Sequence, residues 1–248
     1  MTVGYYQSLE SFALVDGPGV RSVLFLAGCP FRCLFCHNPD SWEFSKKNPI
    51  TPEEAYKKLI RYKPYWRDNG GITISGGEPL AQLDFIIELS RLFHNEGISV
   101  AIDTSGATFN MSEAYLKKFD ELLQVTDLFL LDIKAFDSSL HKKITGKDNK
   151  NVLELFSYLD KKNYPIWVRH VLVPTLSDND ERLHETHEFL SKFKNIRRVE
   201  VLPYHTLGTY KYDLLKIEYP LKDVPAPTKE RVENAEKILC VKDYPDYK

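Results

Sequence analysis

The chain has 248 residues, 43% hydrophobic and 27% charged, ordinary globular values that exclude disorder and collagen-like repeats. Lys and Arg number 33 against 35 Asp and Glu, a net charge of −2, so no electrostatic excess draws the chain to nucleic acid. Four cysteines are too few for a disulfide scaffold, and Cys29, Cys33 and Cys36 fall close together while Cys240 stands alone.

Residues 1–21 lack the basic start, apolar core and small-residue cleavage site of a signal peptide, and are read as an N-terminal arm. No apolar run approaches the ~20 residues needed to span a bilayer. A cytoplasmic protein with no membrane contact is expected, a setting where clustered cysteines are metal ligands or redox groups rather than bridges.

Short β-branched runs then alternate with amphipathic stretches. Strands are expected at 22–28, 71–76, 99–104, 128–133, 166–174 and 197–203. Helices are expected near 52–62, 81–95, 112–124, 150–162, 178–193 and 228–239. Thr51-Pro52-Glu53-Glu54 offers a capping residue, Pro at the first helical position and acids in the first turn. Leu83, Ile86, Ile87, Leu89 and Phe93 form a one-sided stripe. This alternation predicts an α/β fold with a parallel sheet and helices outside it. An open doubly wound sheet and a curled, barrel-like one both fit. No linker interrupts the pattern, so one domain over 1–248 is expected.

Unusual polar residues gather at the carboxyl ends of these strands, where parallel sheets bind ligands. The cysteines follow the first strand, Gly76-Gly77-Glu78-Pro79 the second, and Asp103-Thr104 end the third. Asp132-Ile133-Lys134 end the fourth, Arg169 lies in the fifth, and Tyr204-His205 follow the sixth.

The cysteine segment reads GCPFRCLFCHNPDSW. Zinc held by three Cys and His37 is one reading, though adjacent Cys36 and His37 make awkward co-ligands. C-x-x-C-H also matches haem attachment, which goes with export. An iron–sulfur cluster is the third reading, and three thiolates would leave one iron open. Cys240 reads as a structural thiol.

C-x3-C-x2-C with Phe35 before the last Cys, followed by GGEP, resembles the radical S-adenosylmethionine superfamily. VDGPGVR, CHNPDSW, LLDIK, VRHVLVP and LPYHTLG narrow the resemblance to its pyruvate formate-lyase activating family, over about residues 5–240. Activases with inserted ferredoxin-like domains carry more cysteines than these four.

The resemblance implies a partial (β/α)6 TIM-like barrel of six parallel strands with outer helices. It implies a [4Fe-4S] cluster on Cys29, Cys33 and Cys36, with S-adenosylmethionine on the open iron. Reductive cleavage would yield methionine and a 5′-deoxyadenosyl radical, which takes hydrogen from a glycine of pyruvate formate-lyase. S-adenosylmethionine contacts fall on Phe35, Cys36, His37, Gly76, Gly77, Glu78, Asp132, Ile133, Lys134, Arg169 and His205. Gly76, Gly77 and Glu78 would meet its ammonium. A monovalent cation, sodium or potassium, would lie on Asp103, Thr104, Asp132 and the Leu130 carbonyl; pairing of Asp132 with Lys134 or Arg169 is the alternative. Asp16 and His37 would face the protein substrate, and the long loop 206–227 would form its docking rim. Flavodoxin or ferredoxin is the implied electron donor, and a monomer is expected. Activation of another glycyl-radical enzyme, and a zinc-stabilised binding module without turnover, are the alternatives.

Overall fold

The computed structural model describes residues 2–247, which gather into two compact units. The first holds the chain up to Pro30 and again Ser41–Leu130. The second holds Phe31–Asp40 and everything from Leu131 onward.

In the first unit, β1 (Gly4–Ala13) runs antiparallel to β2 (Arg21–Leu26), and the short β3 (Pro49–Ile50) pairs with β1. Helix α1 (Pro52–Leu59) starts on a capping box. The Thr51 hydroxyl accepts from the Glu54 amide, and the Glu54 carboxylate accepts from the Thr51 amide. Helix α2 (Lys63–Trp66) leads to β4 (Gly71–Gly76), parallel to β2. Helix α3 (Leu83–His94) buries the whole expected stripe. β5 (Ser99–Thr104) lies parallel to β4, followed by α4 (Glu113–Leu123) and the first residues of β6 (Leu128–Asp132). The strand order is β3-β1-β2-β4-β5-β6. β4 is buried along almost its whole length, and its two polar side chains there are satisfied, Thr73 donating to the Asp16 carbonyl and Ser75 to the Asp103 carboxylate.

The second unit takes up the end of β6. It continues through α5 (Ser138–Thr145), α6 (Lys150–Lys161), β7 (Ile166–Leu172), α7 (Asp180–Leu190), β8 (Ile196–Pro203), α8 (Tyr210–Leu215) and α9 (Lys229–Ile238). β8 is parallel to β7, and the order is β6-β7-β8. β3 and β8 each have one strand neighbour, so the strand series is open. The expected α/β class, with a mostly parallel, unclosed sheet, is what these strands form.

Several elements depart from the sequence expectation, the short β3 and α2 among them. The arm contains β1, whose Gln7, Ser8, Glu10 and Ser11 hide the apolar alternation. Helix α5 was not expected, although Asp137 caps its start and Gly146, at φ 81°, ends it. The loop 206–227 contains α8. Among the described residues, no helix is long and apolar enough to cross a membrane.

Candidate active-site residues in each unit

In the first unit, the loop after β4 is pressed against the segment that carries Cys29. The Gly77 amide donates to the Leu26 carbonyl and the Glu78 amide to the Gly28 carbonyl, both at 2.8 Å. Gly76 has φ 118°, and a Cβ there would overlap the Leu26 backbone; one on Gly77 would overlap the Gly28 carbonyl. The glycine pair is thus required by the approach of two protein backbones. Cys29 itself is buried, its amide donating to the Trp42 carbonyl at 3.2 Å.

Glu78 is fully buried. One carboxylate oxygen accepts from the Leu80 amide at 3.1 Å and the Thr104 hydroxyl at 2.5 Å. The other accepts from the Ser105 amide and hydroxyl and the Ala107 amide. Burial pushes its carboxyl above the ordinary range, and the Ser105 and Thr104 hydrogen bonds pull it back. Through these bonds the carboxylate fixes this loop to the end of β5. Asp103 accepts from the Ser75 hydroxyl at 2.7 Å. The turn at Asp16 precedes β2, at the opposite end of that strand from Cys29, and its carbonyl accepts from Thr73.

In the second unit, the loop Phe31–Asp40 is gripped from two sides. The Arg32 and Leu34 amides donate to the Thr145 and Ile144 carbonyls of α5, at 2.8 and 3.0 Å. From α8, the Tyr212 hydroxyl donates to the Cys36 carbonyl at 3.0 Å, and Lys211 reaches Asn38 at 2.8 Å and Asp40 at 3.2 Å. The Cys36 amide closes a turn on the Cys33 carbonyl, and the Asn38 amide donates to the Cys36 sulfur at 3.4 Å. An N–H aimed at sulfur favours the thiolate, the form that binds metal. Phe35 is buried among Ala135, Ile144, Val173 and Tyr204.

The end of β6 joins this group. Lys134 pairs with Asp132 at 2.7 Å and lies 5.4 Å from the Phe35 ring centroid. Ile133 donates its amide to the Arg169 carbonyl and accepts, at its carbonyl, from His170 Nδ1, both at 2.9 Å. Arg169 pairs with Glu200 at 3.2 Å. His37 stacks on His205, with ring centroids 4.1 Å apart, and donates to the His205 carbonyl at 3.0 Å. Burial pushes the His37 pKa down, opposed by that hydrogen bond.

Tyr212, Lys211, His170 and Glu200 were missed by sequence reasoning; only the aromatic content of the long loop hinted at Tyr212. His187 is half-buried and lies 4.0 Å from the Cys240 sulfur. Cys240 falls just past α9 with φ 51° and is half-buried. Among the described residues, no three His, Cys, Asp or Glu side chains form a group suited to one metal ion.

Comparison with known proteins accords with these features. The Radical SAM superfamily model matches residues 23–190. The pyruvate formate-lyase-activating enzyme of Streptococcus mutans is 45% identical over 247 residues, covering 99% of this chain and 94% of that protein. The enzyme of the same name from Clostridium pasteurianum is 42% identical over 240 residues, covering 96% and 98%. Among solved structures, a radical SAM methyltransferase from Sphaerobacter thermophilus has a TM-score of 0.64 at 17% identity, over 91% of this chain and 65% of that one. A domain of a pyruvate-formate lyase-activating enzyme from Bacteroides vulgatus has 0.56 at 23%, over 69% and 93%. These two likenesses bear on the fold.

Proposed function

The chain belongs to the Radical SAM superfamily, and on that premise we propose that it activates pyruvate formate-lyase by creating a glycyl radical in it. The observation that carries the proposal is the 45% identity to an enzyme of that name over nearly the full length of both chains.

Cys29, Cys33 and Cys36 would hold a [4Fe-4S] cluster, with the backbone amide of Asn38 supporting the Cys36 thiolate. When bound there, the cluster and S-adenosylmethionine supply the electron and the 5′-deoxyadenosyl radical that takes hydrogen from the partner's glycine. The chain's own residues bind and orient. The Gly76-Gly77 backbone and the Asp132-Ile133-Lys134 turn are fixed by neighbours before any ligand arrives, which lowers the ordering cost of binding. The stacked His37 and His205 offer an aromatic face for a purine. Asp103, Thr104 and the Leu130 carbonyl would offer hard oxygens to a monovalent cation, and Asp132, which pairs with Lys134, would share its carboxylate with it.

Anaerobic reconstitution with iron and sulfide, reduction with dithionite, then addition of S-adenosylmethionine and pyruvate formate-lyase tests the reading. A brown protein forming 5′-deoxyadenosine and a glycyl radical by electron paramagnetic resonance is expected. Stoichiometric zinc with a colourless, redox-silent protein would overturn it, and a radical formed only on a different glycyl-radical enzyme would reassign the partner. Activity indifferent to sodium and potassium would remove the cation.

A further inference from the structure

The function proposed above needs one electron per turnover from outside the chain. Resting on that reading, we propose that the exposed face of α5, with Lys142, Lys143 and Lys147 beside Arg32, docks an acidic one-electron carrier protein.

Placement is the first argument. The residues on both sides of Cys33 are hydrogen-bonded to the end of α5: Arg32 to Thr145 at 2.8 Å and Leu34 to Ile144 at 3.0 Å. Ile144 belongs to the apolar cluster against which Cys33, Leu34 and Leu140 pack. The last turn of α5 is therefore the neighbouring backbone layer of the cysteine loop. Electron tunnelling falls steeply with distance, so a carrier seated on this turn has a short route to Cys33.

Charge is the second. Lys142 and Lys143 occupy the last turn of α5, and Lys147 follows the Gly146 cap. These three lysines and Arg32 are exposed. From Ser138 to Lys147 the chain carries no acid. Asp137, just before, lies 3.7 Å from Arg182, and Asp148, just after, accepts from the Lys150 amide. Lys142, Lys143 and Lys147 enter none of the ion pairs seen among the described residues. The chain as a whole carries −2, so the positive face is local rather than a sign of a basic protein. Favourable placement at a helix C-terminus accounts for two of the lysines but not for Lys147 or Arg32. A clustered positive face steers a partner whose redox centre is ringed by carboxylates. In the transfer, the carrier's centre loses one electron and the iron–sulfur cluster gains it; no atoms move.

The test uses the reconstituted enzyme and a reduced flavodoxin as the probe. Binding is measured by titration, and cluster reduction by loss of visible absorbance, at low and high salt. The double variant K142E/K143E should bind about tenfold more weakly at low salt and be reduced by flavodoxin about tenfold more slowly, with most of the salt dependence gone. Its reduction by dithionite should match wild type, which also reports an intact fold. K192E/K194E, with the same charge change at exposed positions elsewhere, should behave as wild type. Unchanged flavodoxin binding and reduction in K142E/K143E would overturn the proposal, as would an equal loss in K192E/K194E. Failure of dithionite-reduced wild type to form a glycyl radical would count against the proposed function instead, and would leave binding and reduction readable.

Discussion

Ser105 binds Glu78 twice, through its amide at 3.1 Å and its hydroxyl at 2.5 Å, on the same carboxylate oxygen. With Thr104, Leu80 and Ala107 also donating, the carboxylate links the loop after β4 to the end of β5. A buried donor left without its acceptor costs far more than an average hydrogen bond is worth. Glu78→Ala should therefore lower unfolding stability by roughly 3 kcal/mol. Glu78→Gln should cost somewhat less, because one amide oxygen still accepts. Urea unfolding of the two variants measures this. A loss under ~0.5 kcal/mol, the level of an ordinary surface change, would show that the clamp is slack.

The cysteines divide three to one. Cys33→Ala or Cys36→Ala should abolish the iron and sulfide bound on reconstitution, and Cys29→Ala should do the same. Cys240→Ser should retain full cluster content, because Cys240 lies past α9 beside His187 and outside the motif. Iron and sulfide analysis checks each. Full cluster in Cys33→Ala would break the three-thiolate assignment.

The cysteine motif was legible because its chemistry depends on spacing along one short loop. Asp132 and Lys134 stood out because charges closing an apolar strand need partners, and they pair with each other at 2.7 Å. Tyr212 was not, since it bonds the Cys36 carbonyl across 176 residues and sits in a six-residue helix too short for periodicity to reveal. The partners of Glu78 were hidden for another reason: three of its donors are backbone amides, which every residue carries. β1 was lost to its polar face, and α5 to its brevity, although Asp137 and Gly146 marked both its ends.

Acid should destabilise the protein through two buried histidines. His141 Nδ1 donates to the Lys147 carbonyl and His170 Nδ1 to the Ile133 carbonyl, each at 2.9 Å. In both, Nε2 is buried without a partner. Burial pushes both pKa values below the ordinary histidine value, against the pull of those carbonyls. The unfolded chain therefore takes up protons first as pH drops. The stability contribution is complete above the ordinary value of about 6.5 and is lost as pH falls from there through the lowered folded values. The slope should reach at most about 1.4 kcal/mol per pH unit for each histidine. Urea midpoints at pH 7.5 and 5.5 should show the fall, and His141→Asn with His170→Gln should flatten it. An unaltered slope in the double variant would assign the acid sensitivity elsewhere.

The docking role proposed for the long loop can be separated from its support of the cysteine loop on α8 and the turn before it. Lys211 and Tyr212 point to the cysteine loop and hold it. Leu207 and Leu214 are 79% and 76% exposed, among the most exposed large apolar side chains of the described residues. An exposed apolar pair on a functional loop is suited to burial against a partner. Leu207→Ser with Leu214→Ser should leave the fold and the uncoupled cleavage of S-adenosylmethionine within about twofold of wild type, since surface changes of this kind cost little stability. Glycyl radical formation on pyruvate formate-lyase should fall about tenfold or more, from the loss of apolar area buried on docking. Parallel assays of 5′-deoxyadenosine without partner and of radical yield with partner compare the two. Equal losses in both would place these leucines in the support of the active site and leave the partner to dock elsewhere.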